Sequence, residues 1–131
     1  MLLVLDACAA IAMLRAEPGA ATVESLINSH KTVIHAVNLC EVYYDFLRVA
    51  PRDVALSVAH QLMNAGVEVM DDVSWRLLTI AGDLKVSTRL SLADTFAAAL
   101  AIIDGGTVLT SDHREFGPVA QRGLCQVHFF R

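Results

Sequence analysis

Short apolar runs alternate along the chain with longer segments in which apolar residues recur at helical spacing. The runs cover residues 2–5, 32–35, 67–70, 107–110 and 125–130, and their length and aliphatic content are typical of buried strands. Helical spacing predicts helices over residues 7–16, 18–27, 37–47, 51–65, 73–84 and 92–103. This alternation predicts an α/β fold in which helices cover a mainly parallel sheet.

Polar residues and glycines mark the expected ends of these elements. Ser91 is a good N-cap for the helix that begins at residue 92, and Asp72 is the expected cap of the preceding helix. Gly66 is typical of the position just after a helix. Residues 111–115 are polar and are predicted to form a loop after the fourth strand.

Length and composition indicate one globular domain over residues 1–131. Apolar residues make up 55% of the chain and charged residues 18%, which excludes a disordered tail or a low-complexity linker. The net charge of −4 provides no general attraction for nucleic acid, so a polyanionic substrate would need local arginines or metal ions. The three scattered cysteines favour a reduced cytoplasm, and no segment is long and apolar enough to suggest a membrane partner.

Four acidic residues fall where the strands end or where helices begin. Asp6 follows the first strand and Asp112 the fourth, while Glu41 and Asp94 lie in the first turns of two helices. Because active sites of open parallel sheets lie at the carboxyl ends of the strands, we expect these four side chains to meet at one edge. Crowded carboxylates raise one another's pKa, and a hard divalent cation relieves that conflict. Mg²⁺ or Mn²⁺ is the expected metal, because no cluster of soft ligands exists.

Several neighbouring residues are secondary candidates. Asn38 lies one helical turn before Glu41 and could bond a site carboxylate or a phosphate oxygen. Hydroxyl groups and an additional acid stand beside Asp112, and basic side chains that could hold RNA phosphates flank the site in the sequence. These further candidates are Thr110, Ser111 and Glu115 for the site, and Lys85, Arg89 and Arg114 for the substrate.

The motifs together resemble a known family. Leu3-Val4-Leu5-Asp6 at the start, Asn38-x-x-Glu41, Leu90-Ser91-Leu92-Ala93-Asp94 and Thr110-Ser111-Asp112 follow the order found in PIN-domain ribonucleases. In size the chain is similar to the VapC-type toxins of prokaryotic toxin–antitoxin pairs. The resemblance covers nearly the whole chain, and Leu-Ser-Leu-Ala-Asp is its most specific part.

This resemblance implies a fold, an activity and partners. The fold would be a PIN-like α/β/α sandwich in three layers. The activity would be Mg²⁺- or Mn²⁺-dependent cleavage of single-stranded RNA, with Asp6, Glu41, Asp94 and Asp112 as the catalytic acids and Asp6, Asp94 and Asp112 as metal ligands. Members usually form homodimers, and a small cognate antitoxin neutralises the toxins. Cys8 departs from the family pattern, which commonly has Ser or Thr at that position.

Two other functions fit the sequence less well. A receiver or haloacid-dehalogenase domain would need a second acid close to Asp6, and a receiver also needs a lysine after its last strand, whereas no lysine follows Lys85. A catalytically weak PIN-like module that acts through partner binding stays as the alternative, and Cys8 is the feature that favours it. The four acids argue against that alternative, because uncompensated charge is costly to bury.

Overall fold

A parallel five-stranded sheet forms the centre of the protein. The computed structural model describes residues 1–131, and its strands lie in the order β3-β2-β1-β4-β5 with every pairing parallel. The five predicted strands are confirmed, with ends that differ by at most one residue. Their bounds are Leu2–Leu5 (β1), Lys31–His35 (β2), Glu68–Met70 (β3), Thr107–Thr110 (β4) and Gln126–Phe129 (β5).

Seven helices cover the two faces of this sheet and complete the predicted α/β/α sandwich. The helices are Ala7–Leu14 (α1), Ala20–Ser29 (α2), Ala36–Leu47 (α3), Arg52–Asn64 (α4), Trp75–Ser87 (α5), Leu92–Asp104 (α6) and His113–Gln121 (α7). Successive strand residues point to opposite faces, so Val4 packs with α5, α6 and α7, whereas Leu5 packs with α1 to α4. None of these helices combines the length and the apolar content needed to cross a membrane.

Two details of the predicted elements are wrong. Residues 113–115, predicted to belong to a loop, form the start of helix α7, which runs to Gln121 although Gly117 and Pro118 lie inside it. The helix forms because it buries Phe116 and Val119 in the core, and that packing outweighs the weak local propensity. The cap of α5 is Ser74 and not Asp72: the Ser74 hydroxyl accepts from the Leu77 N–H, and Asp72 accepts from the Ser74 N–H instead.

The strand order creates a crevice at the carboxyl edge of the sheet, between β1 and β4. The chain leaves β1 for β2 and β3 on one side, whereas β4 and β5 lie on the other side. Leu5 pairs with Leu109, so Asp6 and Thr110 come out side by side where the two strands end. Ligands of open α/β sheets bind at such a switch point.

Candidate active site

Asp6 is the most deeply buried acid of this crevice. It caps α1, because its Oδ1 accepts from the Ala9 N–H at 2.9 Å, and its Oδ2 accepts from the Thr110 hydroxyl. Complete burial raises the pKa of Asp6 to about 7, and the charges of Asp112 and Glu41 add to the rise. The two hydrogen bonds oppose this shift but do not cancel it.

Thr110 links Asp6 to Asp112. The Thr110 hydroxyl donates to Asp6 and accepts from the Asp112 N–H at 3.0 Å. Asp112 in turn caps α7, and its Oδ1 accepts from the Glu115 N–H at 2.9 Å. A single buried hydroxyl therefore fixes the distance between the acids that follow β1 and β4.

Asp94 and Glu115 meet on the other side of the crevice. Asp94 lies in the first turn of α6, where its N–H donates to the Ser91 cap at 3.2 Å. Glu115 accepts from the Ser91 N–H at 3.4 Å. Burial raises the pKa of Asp94 strongly, and both hydrogen bonding with Glu115 and the nearby charges of Asp6 and Glu115 raise it further.

Three of these carboxylates could share one cation. One oxygen from each of Asp94, Asp112 and Glu115 lies within 4.8 Å of the others. Neither ion pair of the protein involves these acids, so no Lys or Arg neutralises them at close range. Glu115, a secondary candidate from the sequence, thus lies at the centre of the site. Asp6 joins the cluster indirectly, through Thr110 and Asp112.

Helix α3 brings Glu41 and Asn38 to the border of the site. Glu41 is half-buried, and its Oε1 accepts from the Tyr44 hydroxyl at 3.4 Å. Burial raises the pKa of Glu41, to which the charges of Asp45 and Glu115 contribute. Asn38 is fully buried one turn earlier, and both atoms of its amide group lack a partner within the protein.

The thiol of Cys8 lies among the acids. Burial raises its pKa well above the usual range, and the charges of Asp6, Asp94, Asp112 and Glu41 all raise it further. The thiol therefore stays protonated and can donate only a weak hydrogen bond. The charges of all four predicted acids therefore reach this sulfur atom, although only Asp94 and Asp112 among them belong to the three-carboxylate cluster.

The remaining sequence candidates lie around this acidic cluster. Ser111 is half-buried, and only its backbone is hydrogen-bonded, accepting from the His113 N–H. The Lys85 ammonium donates to the Leu90 carbonyl at 2.9 Å, which ties it to the chain itself. Arg89 and Arg114 share a cleft with Asp112 and Glu115.

Arg122 also borders the site but was not a sequence candidate. It caps the C-terminal end of α7, seven residues after Glu115, and lines the same cleft as Glu115. Its spacing from Glu115 would have been informative only if α7 had been predicted as a helix.

The sequence matches the model of a known protein family. The PIN domain family model matches residues 3–121. The chain belongs to the PIN domain family, which confirms the resemblance noted in its motifs. No curated protein matches the sequence at a significant level.

Several solved structures with the same fold are toxins or toxin–antitoxin complexes. The chain superimposes on DNA-bound VapBC from Salmonella typhimurium with a TM-score of 0.78 and 18% identity, over 100% of both chains. VapBC-1 from nontypeable Haemophilus influenzae matches with a TM-score of 0.76 and 15% identity, over 99% of this chain and 98% of the other. VapC20 from Mycobacterium tuberculosis is described as a sarcin–ricin loop cleaving toxin. It matches with a TM-score of 0.71 and 18% identity, over 89% of this chain and 94% of the other. The shared feature is the VapC fold.

Proposed function

We propose that this protein is a Mg²⁺- or Mn²⁺-dependent endoribonuclease that cleaves single-stranded RNA and acts as the toxin of a toxin–antitoxin pair. The observation that carries the proposal is the convergence of uncompensated carboxylates at the sheet edge of a PIN fold. VapC20, which has this fold, is a sarcin–ricin loop cleaving toxin. Such an enzyme would act in the cytoplasm, where RNA is its substrate.

The residues present fit a hard divalent cation. The donors are all carboxylate oxygens, which Mg²⁺ and Mn²⁺ prefer, and burial without ion-pair partners leaves their charge to be balanced by a ligand. We assign Asp6, Asp94 and Asp112 as metal ligands, with Glu115 completing the cluster. The partnerless amide of Asn38, one turn from Glu41, is a further polar group at this border. A bound dication would supply an activated water and neutralise charge on the phosphodiester.

The protein's own residues would orient and deprotonate the nucleophile. Thr110 holds Asp6 and Asp112 in fixed positions, and the N-terminus of α6 favours the ionised form of Asp94. We assign the proton-accepting role to Glu41, because it lies outside the three-carboxylate cluster and burial raises its pKa. Tyr44 bonds Oε1 of Glu41, which leaves Oε2 free to take the proton.

The decisive test is cleavage of single-stranded RNA by purified protein. We expect cleavage with Mg²⁺ or Mn²⁺ and none in EDTA, and Asp94→Asn should abolish it because the variant loses a ligand at the buried end of α6. Asp104→Asn is the matched control, since it makes the same change at the exposed other end of that helix. Circular dichroism would verify that both variants are folded. Equal cleavage by wild type and Asp94→Asn in EDTA would refute the proposal.

The alternative function, partner binding without catalysis, has one observation in its favour. Cys8 gives the site a weak donor among its acids, where the family usually has a hydroxyl. A folded protein that binds Mn²⁺ but leaves RNA intact under every condition would support this alternative.

We also propose that a small cognate antitoxin inhibits the protein and that the active form is a homodimer. Salmonella and Haemophilus relatives of the same fold were solved as VapBC pairs. Trp75 is 82% exposed beside the exposed Val73, which is the kind of apolar surface that a subunit contact covers. Light scattering of the purified protein tests the dimer. Co-purification with the product of a neighbouring small reading frame, and loss of cleavage in that complex, test the antitoxin.

A further inference from the structure

Two adjoining clefts lie beside the acidic cluster along helix α7. One cleft of about 330 Å³ is lined only by Arg89, Asp112, Arg114 and Glu115. A second cleft, of about 320 Å³, adjoins it and extends to Ser87, Pro118 and Arg122. Arg89 and Glu115 line both clefts, and we call the two adjoining clefts together the arginine groove.

The cations of this groove are free to bind a ligand. Arg89 and Arg114 donate no hydrogen bond within the protein, and the only two ion pairs are Arg15–Asp45 and Arg131–Glu17. Two guanidinium groups therefore share a cleft with two carboxylates and pair with neither. Guanidinium groups bind phosphate oxygens through paired N–H donors, so this arrangement suits a phosphodiester that enters between the arginines and the acids.

The backbone that carries Arg89 is held rigidly. Arg122 donates from Nη1 to the Ser87 carbonyl at 2.8 Å, and Lys85 donates to the Leu90 carbonyl at 2.9 Å. The Thr88 hydroxyl donates to the Leu84 carbonyl and accepts from the Leu90 N–H. These bonds fix the connection between α5 and α6 on both sides of Arg89, while its side chain stays exposed. Lys85 thus acts as a positioning residue, and Arg122 keeps further N–H donors for a ligand.

We propose that the arginine groove binds one arm of the single-stranded RNA next to the cut. The phosphate beside the scissile bond lies between Arg89 and Arg114, and the following phosphate reaches Arg122. This inference rests on the proposed ribonuclease function and gives it a strand path. The chain carries a net charge of −4, so these arginines supply the local attraction that the whole molecule lacks.

Binding of a fluorescein-labelled single-stranded RNA, measured by fluorescence anisotropy, tests this path without turnover. All proteins carry Asp94→Asn and are measured with Mg²⁺. We expect Arg89→Gln and Arg114→Gln each to weaken binding about tenfold and to reduce the slope of log K against log[salt] by about 0.7. Arg52→Gln is the control, because it removes the same charge from the exposed start of α4.

Kinetics without the Asp94→Asn change separate the groove from the nuclease itself. Arg89→Gln should raise KM about tenfold and change kcat much less, because its contact is made before and during the reaction alike. If the Arg89, Arg114 and Arg52 variants bind RNA equally well, the proposed RNA path along the arginine groove is wrong. Cleavage of RNA by the wild type would still support the nuclease function. Arginine-dependent binding by a protein that never cleaves RNA would overturn the nuclease and uphold the groove.

Arg122→Gln also loses a bond to the backbone, so the two arginines without internal bonds are the decisive variants.

Discussion

Asp6→Asn should abolish cleavage yet make the metal-free protein more stable at alkaline pH. In the folded protein, burial and neighbouring charges raise the pKa of Asp6 from 3.8 to about 7. Between these values the native state binds a proton that the unfolded chain has released, so the stabilisation from this proton is lost as the pH rises through 7. At pH 8 the ionised carboxylate is buried without a cation, and asparagine removes that charge.

The size of the effect follows from the shift. A rise of about three pKa units means that ionising the buried Asp6 lowers the unfolding free energy by about 4 kcal/mol at pH 8. At pH 5 the reduction is only about 1–2 kcal/mol. Asparagine caps α1 as well as aspartate, but it cannot accept the Thr110 proton in the same way, which costs about 1 kcal/mol at either pH. The difference in unfolding free energy between Asp6→Asn and wild type should therefore shift by about 3 kcal/mol in favour of the variant from pH 5 to pH 8.

Urea unfolding in EDTA at the two pH values measures this shift, because the constant cost of the altered hydrogen bond cancels. Asp83→Asn, a change at an exposed aspartate of α5, serves as the control and should give the same difference at both pH values. Adding Mg²⁺ at a hundred times its Kd should stabilise wild type by about 3 kcal/mol and the variant by much less. A stability difference between Asp6→Asn and wild type that is equal at pH 5 and pH 8 would refute the account of a buried, uncompensated carboxylate.

Substitutions at three further residues test how the side chains of the site are held in position. Ser91→Ala removes the cap that accepts from the Asp94 N–H and should lower the unfolding free energy by about 1 kcal/mol, measured by urea titration. His35 is fully buried; its ring caps α3 and bonds the Asp72 carbonyl at 2.8 Å. His35→Ala should therefore lower the unfolding free energy by about 2–3 kcal/mol and weaken cleavage, because α3 also carries Glu41. His35→Asn should restore the cap and recover part of both losses. Cys8→Ser supplies a stronger donor among the acids and should increase metal affinity several-fold in a Mn²⁺ titration; unchanged affinity would show that the thiol only packs.

The acids that follow strands were predictable because a parallel sheet has only one carboxyl edge. Once β1 paired with β4, Asp6 lay beside Thr110, two residues before Asp112, and capping geometry placed Asp94 in the first turn of α6. Glu115 and Arg122 were harder to place, because Glu115 lies in α7 and Arg122 caps its end, and the sequence gives little local sign of this helix. Gly117 and Pro118 argue against a helix locally, and only the burial of Phe116 and Val119 against the sheet decides for it.

The residue that caps a helix was also difficult to predict from the sequence. Asp72 and Ser74 are both good N-caps two residues apart, and the sequence alone favours neither. The structure uses both side chains, with Asp72 accepting from Ser74 and Ser74 capping α5. The choice depends on where α5 must start in order to bury Leu77, which is a property of the whole core.

The position of Asp94 shows how the core determines the chemistry. Helix α6 lies against the sheet with Ala97, Ala98 and Ala99 fully buried, so the helix packs closely against the strands. Because Asp94 sits on the first turn of this helix, its distance from Asp112 is fixed by packing and not by a flexible loop. The apolar core therefore does two things at once: it offsets the cost of crowding charges at the sheet edge, and it holds those charges close enough to share one cation.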